Sequence, residues 1–279
     1  MKLLRNMTTA TKGILLAGLL GACQPENDNM LTPQAPTTVS DRNAKTSQAV
    51  GQLIKDGDVS LVYNNQVPSA LWKEIYNNGA YHEFTYGTQL ITGKRYVNGF
   101  NNATKVFTYI LDSYGRCIET VTDKTHLYEY DANGQLTKYY NKLQPNERIE
   151  FTYKADATGT ATSLSTVTFY DASGKKTREV GFNYSITEPI PDKSPLNPDV
   201  FAVGVSKYLP IFGKFSTNLV QCSSDKKFLS NGQQISSTNY YYNYVLDYAG
   251  KVRNVTVKKY DGKLVSTTDR KYTIPSFKF

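Results

Sequence analysis

Short runs in which apolar and polar residues alternate fill most of the chain between positions 59 and 274. The clearest run covers residues 149–153, where Ile149, Phe151 and Tyr153 fall on one side and polar residues on the other. Because successive side chains of a strand point to opposite faces, each run predicts a strand with one buried face. Helical spacing is confined to residues 47–54 and 70–76, for which single turns of helix are expected.

The turns between these runs share a pattern in which an Asp is followed three residues later by a Gly. The Asp side chain accepts hydrogen bonds from nearby backbone N–H groups, and the Gly takes the left-handed conformation that closes a bulged hairpin. A weaker copy lies at residues 155–159 and a shortened one at residues 260–263. The turn-forming residues predicted in this way are Asp112, Gly115, Asp131, Gly134, Asp171, Gly174, Asp247 and Gly250.

Strand runs and turns together predict an all-β fold, an antiparallel up-and-down meander of about a dozen strands. The distances from one turn Asp to the next are uneven, which disfavours a strict β-solenoid. The meander is interrupted at residues 187–214 by a loop that contains five prolines and many apolar residues. A Pro-rich loop of this length and character is expected to fold against the sheet, as a structural lid or as the wall of a ligand cleft.

The turn units resemble the tyrosine-aspartate (YD or Rhs-like) repeats of Rhs-type shells and of many Bacteroidetes lipoproteins, best over residues 105–184 and 240–273. The whole chain is similar to a family of bacterial lipoproteins that has no assigned function and is described as having a porin-like fold. That resemblance implies a sheet curled into a barrel or half-barrel. Many alternate strand positions carry Glu, Lys, Thr or Asn, so the barrel is expected to lie outside the membrane.

Tyrosine is the most unusual part of the composition, with 22 Tyr beside 12 Phe and one Trp. This agrees with β structure, because a tyrosine ring is buried while its hydroxyl reaches water. Exposed aromatic rings also stack on sugars, and the densest group is Tyr240, Tyr241, Tyr242 and Tyr244, for which core and cross-strand packing is the alternative. The formal charge is +8, and three bases lie in the first 22 residues, which leaves +5 without a basic cluster. Nucleic-acid binding is therefore not expected.

Residues 1–22 have the parts of an export signal, namely a basic start, an apolar core and a small-residue cleavage site. The apolar core is too short to span a bilayer as a helix. Residues 20–23 (LGAC) resemble the lipobox of bacterial lipoproteins, which implies cleavage between Ala22 and Cys23. Diacylglycerol and a further acyl chain on Cys23 are then the expected covalent groups, and several chains on one residue give stable anchoring.

The residues after Cys23 bear on where the protein is held. Gln24 occupies the position at which inner-membrane lipoproteins commonly have Asp, which favours the outer membrane of a Gram-negative bacterium. Residues 24–28 (QPEND) resemble the export signal of Bacteroidetes-type surface lipoproteins, so display on the cell surface is a hypothesis. Residues 23–48 are rich in Thr, Pro, Gln, Asn and Ser and are expected to form a flexible tether. Residues 49–279 then form a single β-meander domain.

Signs of catalytic or metal chemistry are few. The histidines are His82 and His126, which is too few for an expected zinc site, and Tyr140 breaks the one calcium-loop-like stretch. No nucleophile motif, phosphate loop or dinucleotide fingerprint occurs. The acids in strand runs are interpreted as solvent-face residues, and they are Glu119, Glu129, Glu150 and Glu179.

Two cysteines, Cys117 and Cys222, remain after Cys23 is acylated, and they form either one disulfide or two thiols. No catalytic residue, no metal site and no cofactor beyond the lipid is predicted. The expected function is that of a non-catalytic, membrane-anchored envelope lipoprotein that binds glycan or another extracellular ligand. A structural or accessory subunit of an outer-membrane complex is the alternative, and a hydrolase is the second alternative.

Overall fold

The structure is a computed structural model that describes residues 51–64, 70–98, 100–155, 162–185, 187–199 and 206–273. The expected signal peptide (1–22) and tether (23–48), with Ala22 and Cys23, lie outside these residues, as does most of the weaker turn at 155–159.

The described residues form sixteen β-strands. The first eight are β1 Leu53–Asp56, β2 Val59–Tyr63, β3 Leu71–Tyr76, β4 Tyr81–Gly87, β5 Leu90–Tyr96, β6 Lys105–Leu111, β7 Cys117–Val121 and β8 Thr125–Tyr130. The other eight are β9 Leu136–Asn141, β10 Gln144–Ala155, β11 Thr162–Tyr170, β12 Lys176–Asn183, β13 Cys222–Phe228, β14 Gln234–Leu246, β15 Val252–Lys259 and β16 Leu264–Tyr272.

Consecutive strands pair antiparallel along the chain, and β1 also pairs with β16, which closes the sheet into a barrel. The expected all-β up-and-down meander and barrel are confirmed, with sixteen strands instead of about a dozen. The sequence estimate is low because strands as short as β1 and β7 contain too few residues for a clear alternation. The described residues form no helix, and so none that is long and apolar enough to cross a membrane.

The two expected helical turns are wrong wherever the structure describes them. Residues 53 and 54 open β1, and residues 71–76 are β3. In β3 a bulge at Trp72 places both Leu71 and Glu74 on the inner face of the barrel, which reproduces the three-residue spacing of a helix. This segment pairs with β2 on one side and β4 on the other, so its neighbours decide its conformation.

The connections between strands alternate between the two ends of the barrel. We call the end that carries the β12–β13 connection, residues 184–221, the plug end, and the opposite end the far end. The β6–β7, β8–β9 and β14–β15 turns also lie at the plug end, whereas the β11–β12 and β13–β14 turns lie at the far end.

The inner wall formed by β3 to β11 is apolar and aromatic. On β6, Phe107, Tyr109 and Leu111 are buried, whereas Val106, just before Phe107 in sequence, is 51% exposed on the outer face. Phe107 lies edge-on to Phe84 and to Tyr109, with ring centres 6.3 and 5.7 Å apart. The alternation in sequence thus separates a core inside the barrel from a solvated outer face.

Residues 206–219 begin within the long Pro-rich loop and place several apolar side chains inside the barrel, and we call this segment the plug. Leu209, Ile211 and Phe212 are as buried as the barrel wall and belong to the same hydrophobic core. The backbone N–H of Cys117 donates to the carbonyl of Ile211 at 2.7 Å, which ties the plug to the start of β7. The expectation that the loop folds against the sheet is confirmed for residues 206–214, which pack against it from within.

Tyrosine hydroxyls bind the carbonyls of neighbouring strands at the plug end. In each case a Tyr at the end of one strand donates to the carbonyl at or near the start of the strand before it. This satisfies carbonyls next to the bulges of the sheet, and it explains much of the high tyrosine content. The pairs are Tyr86 with Leu71, Tyr130 with Cys117, Tyr153 with Leu136, Tyr184 with Leu164, Tyr244 with Val220 and Tyr272 with Val252.

The outer face of the barrel carries charged and hydroxyl side chains along the strands. The acids interpreted as solvent-face residues are confirmed as such, because each forms an ion pair on this face. The partners are Lys142 for Glu119, Lys138 for Glu129, Arg148 for Glu150, and both Lys176 and Lys226 for Glu179.

Candidate functional site

The predicted turn residues form one kind of turn at both ends of the barrel. In all of them Oδ1 of the Asp accepts hydrogen bonds from the backbone N–H groups two and four residues later, at 2.8–3.0 Å. The Gly three residues after each Asp has φ between +75° and +79°. One carboxylate oxygen of each Asp therefore stabilises its hairpin. We assign a structural role, and not a ligand site, to Asp112, Asp131, Asp171 and Asp247.

The two remaining cysteines are free thiols in the structure and not a disulfide. Cys117 opens β7 and is buried inside the barrel, where burial raises the pKa of its thiol to about 12. Cys222 opens β13 with its side chain on the outer face, because the neighbouring Ser223 is the buried inner residue. A bond between them would have to pass through the barrel wall.

The tyrosine group of β14 divides between the two faces of the sheet. Tyr240, Tyr242 and Tyr244 point inward, and Tyr241 points outward and is 40% exposed. The rings of Tyr242 and Tyr244 are stacked 6.5 Å apart at 11°. Burial raises the pKa of both phenols, and their hydroxyls bind Ser223 and the carbonyl of Val220. Two of these four tyrosines thus have the core-packing role that was weighed against sugar stacking.

Two buried carboxylates hold the plug in the barrel. Asp56 on β1 binds Arg270 of β16 at 2.8 Å and Lys207 of the plug at 3.0 Å, and Tyr208 of the plug donates to it at 3.0 Å. Burial opposes its ionisation, but the attraction of Lys207 and Arg270 outweighs burial and lowers the pKa of Asp56. The ionised carboxylate is therefore the stable form at neutral pH.

Glu74 on β3 is the second of these carboxylates and is 1% exposed. One of its oxygens accepts from the hydroxyl of Ser206 in the plug, and the other lies 3.0 Å from Nδ1 of His82 and 3.1 Å from the hydroxyl of Tyr76. The Ser206 oxygen also accepts from two backbone N–H groups of the plug. This arrangement occupies the serine and fixes the plug, and it resembles an anchor more than a nucleophile with a base.

A further aromatic arrangement lies on the outer face of β3 to β5. Trp72 is 40% exposed, and the rings of Tyr81 and Tyr96 are stacked 4.6 Å apart at 12°. The ammonium of Lys73 lies 4.2 Å from the Trp72 ring centre and 5.0 Å from that of Tyr81. We call Trp72, Tyr81 and Tyr96 the aromatic strip.

Ion pairs and cross-strand neighbours surround the residues of the aromatic strip. Lys73 is paired with Glu83 on β4 at 3.1 Å, and Glu83 lies directly opposite Lys94 on β5. Ile75, 36% exposed, lies opposite Tyr81, which in turn lies opposite Tyr96. Rings and charged groups alternate on neighbouring strands of this partly exposed surface. Aromatic rings can stack on a sugar ring, and the charged groups beside them can form hydrogen bonds with its hydroxyls.

Sequence reasoning missed the aromatic strip, although its residues carry a signal. Tyr81 and Tyr96 are 15 positions apart and meet only through the register of β4 and β5. A hairpin centred near residues 88–89 would have predicted that pair. Trp72 has no such signal, because the bulge in β3 turns it outward against the simple alternation.

Comparison with known proteins supports the fold. No family model matches the chain, and no curated protein matches it. Among solved structures, the chain is similar to a porin-like protein from Bacteroides vulgatus ATCC 8482, with a TM-score of 0.54 and 17% identity over 80% of this chain and 99% of that one. A porin-like protein from Bacteroides uniformis ATCC 8492 gives a TM-score of 0.43 and 14% identity over 77% and 89% of the two chains. The first of these likenesses shows that the chain has a porin-like barrel fold.

Proposed function

We propose that this protein is a lipoprotein of the Gram-negative outer membrane that is anchored through Cys23 and binds glycan without catalysis. The barrel lies outside the bilayer at the end of the tether, and the aromatic strip contacts the glycan. The match of residues 20–23 to a lipobox supports the anchor. Covalent lipid on Cys23 then holds the barrel to the membrane.

The polarity of the barrel supports its place outside the bilayer. A barrel that crosses a membrane presents an apolar band to lipid and a polar interior to water. Here ion pairs such as Glu129–Lys138 lie on the outer face, and the plug residue Phe212 is fully buried inside the barrel. Charged groups on a lipid-facing surface cost about 2–4 kcal/mol each at the bilayer midplane.

The aromatic strip is the observation that carries glycan binding. Trp72, which is 40% exposed, and the half-buried stacked pair of Tyr81 and Tyr96 lie on an outer surface whose backbone is fixed by a closed sheet. A rigid platform binds a polymer with little loss of conformational entropy. Lys73, Glu83 and Lys94 supply hydrogen-bonding groups beside the rings.

A glycan array probed with the mature protein tests this function, followed by titration calorimetry on the best-bound oligosaccharide. Trp72→Ala and Tyr96→Ala are each expected to weaken binding about tenfold, as the loss of one stacking ring does. Tyr248→Ala is the matched control, because Tyr248 is 96% exposed in the β14–β15 turn, away from the strip.

Three results would contradict the glycan proposal in different ways. Binding that survives both strip variants moves the site elsewhere on the barrel. Recovery of one envelope protein from intact cells, with no glycan bound on the array, favours the accessory role. Turnover of a polysaccharide by the purified protein favours the hydrolase.

The anchor is tested in cells by metabolic labelling with palmitate and by fractionation. Wild-type protein is expected in the outer-membrane fraction with label, and Cys23→Ser is expected in the soluble fraction without it. Cys222→Ser removes a different exported thiol and is expected to behave as the wild type. Protease treatment of intact cells then separates surface display from a periplasmic orientation, and label retained by Cys23→Ser would overturn the anchor.

A further inference from the structure

The inner wall of β12 to β15 is open to solvent toward the far end. Lys227 and Ser236 point into the barrel and are nevertheless exposed, and Thr238, Tyr240 and Lys259 are half-buried. On β6 the inward Lys105 nearest the far end is half-buried, and the inward Phe107, Tyr109 and Leu111 behind it are buried. Polar side chains that face inward without being covered form a solvated recess, and we call this recess the far-end mouth.

A fixed pair of charged groups lies in the far-end mouth. The guanidinium of Arg178 binds the carboxylate of Asp225 through two hydrogen bonds of 2.9 and 2.7 Å, while its side chain remains 37% exposed. These hydrogen bonds raise the pKa of Arg178, and the nearby phenol of Tyr240 raises it further. The group lies 5.1 Å from the ring centre of Phe169, which fixes it from one more side.

Two lysines give the far-end mouth its charge. Lys227 lies directly opposite Arg178 on β12 and Ser236 on β14, and Lys259 lies directly opposite Tyr240, four residues along β14 from Ser236. The two lysines therefore mark two separate points of one inward-facing patch on β12 to β15. Neither lysine forms an ion pair with another residue of the described part of the chain. With Arg178 and Asp225 compensating each other, the patch retains two positive charges.

We propose that the far-end mouth binds an acidic oligosaccharide, whose carboxylates are received separately by Lys227 and Lys259. Tyr240 supplies a ring face for the sugar, and the unused N–H groups and lone pairs of Arg178 and Asp225 supply partners for its hydroxyls. Planar polar groups beside one aromatic ring are what a sugar ring requires, whereas a small inorganic anion would need only the charges. This site rests on the proposed glycan-binding function for its ligand class, but it uses a surface separate from the aromatic strip.

Titration calorimetry with uronate trisaccharides tests the far-end mouth. The probes are trimers of galacturonate, glucuronate and mannuronate, with the neutral trimers of galactose, glucose and mannose and with inorganic phosphate for comparison. At least one uronate trimer is expected to bind, its neutral counterpart to bind more weakly, and phosphate not to compete. Raising the salt concentration is expected to weaken uronate binding, because solvated charges are screened.

The sequence offers matched control variants for both lysines. Lys227→Ala and Lys259→Ala are each expected to weaken uronate binding about fivefold, the size expected for one exposed charge pair. Lys226→Ala and Lys258→Ala remove the adjacent charges, which lie on the outer face of the same strands, and are expected to leave binding unchanged.

The outcomes separate this site from the aromatic strip. Trp72→Ala is expected to leave uronate binding at the far-end mouth intact, so failure of the strip does not decide the mouth. Equal binding of neutral trimers, full competition by phosphate, no binding of any uronate trimer, or equal effects of the inner and outer lysine variants would each overturn the proposal.

Discussion

The two halves of the barrel interior have the same strand geometry, but their inward side chains are packed to different degrees. The wall of β3 to β11 meets the plug and is packed with side chains such as Tyr109 and Leu136, both fully buried. The wall of β12 to β15 presents Lys227, Tyr240 and Lys259 toward the far end, where water reaches them. Closure of the sheet therefore does not by itself create a core. A core also needs a chain segment that fills the interior of the barrel.

The plug explains why one half is filled. Its residues Leu209 and Phe212 lie against the first wall, and its polar residues Ser206 and Lys207 bind Glu74 and Asp56. We therefore expect the packed half to carry most of the stability of the domain and the open half to carry a smaller share. Substitutions in the two halves measure this division directly.

The largest effect is expected for Phe212→Ala, which empties the centre of the packed half. The Phe212 ring lies 6.0 Å from that of Tyr109 and 5.3 Å from that of Tyr128, and it has no exposed surface. Loss of a buried Phe side chain lowers the free energy of unfolding by about 4 kcal/mol. Urea unfolding measures the loss, with Phe100→Ala, at a residue 65% exposed, as the control. A change as small as that of the control would mean that the plug does not stabilise the barrel.

Asp56→Asn tests the polar side of the same contact. It leaves Arg270 and Lys207 without their buried carboxylate, so the free energy of unfolding is expected to fall by about 3 kcal/mol. Asp58→Asn is the control, because Asp58 is exposed in the next turn.

The pH dependence of Asp56 has a definite sign. Its folded pKa lies below the ordinary value of 3.8, so its stabilising contribution is complete above that pH and is lost as the pH falls through the folded pKa. The difference in unfolding free energy between wild type and Asp56→Asn is therefore expected to narrow below about pH 4. A difference that stays constant into acid would show that the carboxylate charge is not what holds the plug.

The antiparallel meander was predictable from the sequence, because the alternation and the Asp–Gly turns are local, whereas the barrel was implied only by the family resemblance. Asp131 and Gly134 form the turn that their spacing predicts, whatever the rest of the molecule does. The direction in which a strand faces was not predictable. Tyr242 and Tyr244 alternate as a candidate sugar-binding group would, and only the closed sheet determines that their side is the inside.

The aromatic strip and the far-end mouth depend on long-range register. Lys259, Tyr240 and Lys227 belong to three different strands. The register of these strands places them on the same inner wall, and their spacing in the sequence does not predict this. The contacts of the plug are of the same kind, since Ser206 meets Glu74 across 132 positions of sequence. Such pairings arise from the closure of the sheet and the path of the loop, and a single sequence does not contain a local signal for either.

Gly93→Ala tests how tightly the packed half is filled. Gly93 faces inward on β5, and a Cβ there would lie 1.9 Å from Cε2 of Phe107. The ring cannot move freely among its buried neighbours, so overpacking is expected to cost about 2 kcal/mol. Gly181→Ala is the comparison on β12, where the Cβ would meet Oγ of Ser224, a small side chain on the outer face. Thermal unfolding that ranks Gly181→Ala as the worse variant would contradict the expected difference in packing.

Lys227→Ala is expected to have the smallest effect on the free energy of unfolding, and it tests directly whether the wall of β12 to β15 is open at the far end. Lys227 points inward from β13 but is exposed. Its removal should change the free energy of unfolding by no more than about 0.5 kcal/mol, as for a surface residue. Urea unfolding compares this change with the loss of unfolding free energy caused by Leu136→Ala, at a fully buried inward position on β9. If Lys227→Ala instead destabilised the protein as much as Leu136→Ala, the far end would be packed in solution. Unchanged stability together with weakened uronate binding would show that an inward position in this barrel serves recognition and not folding.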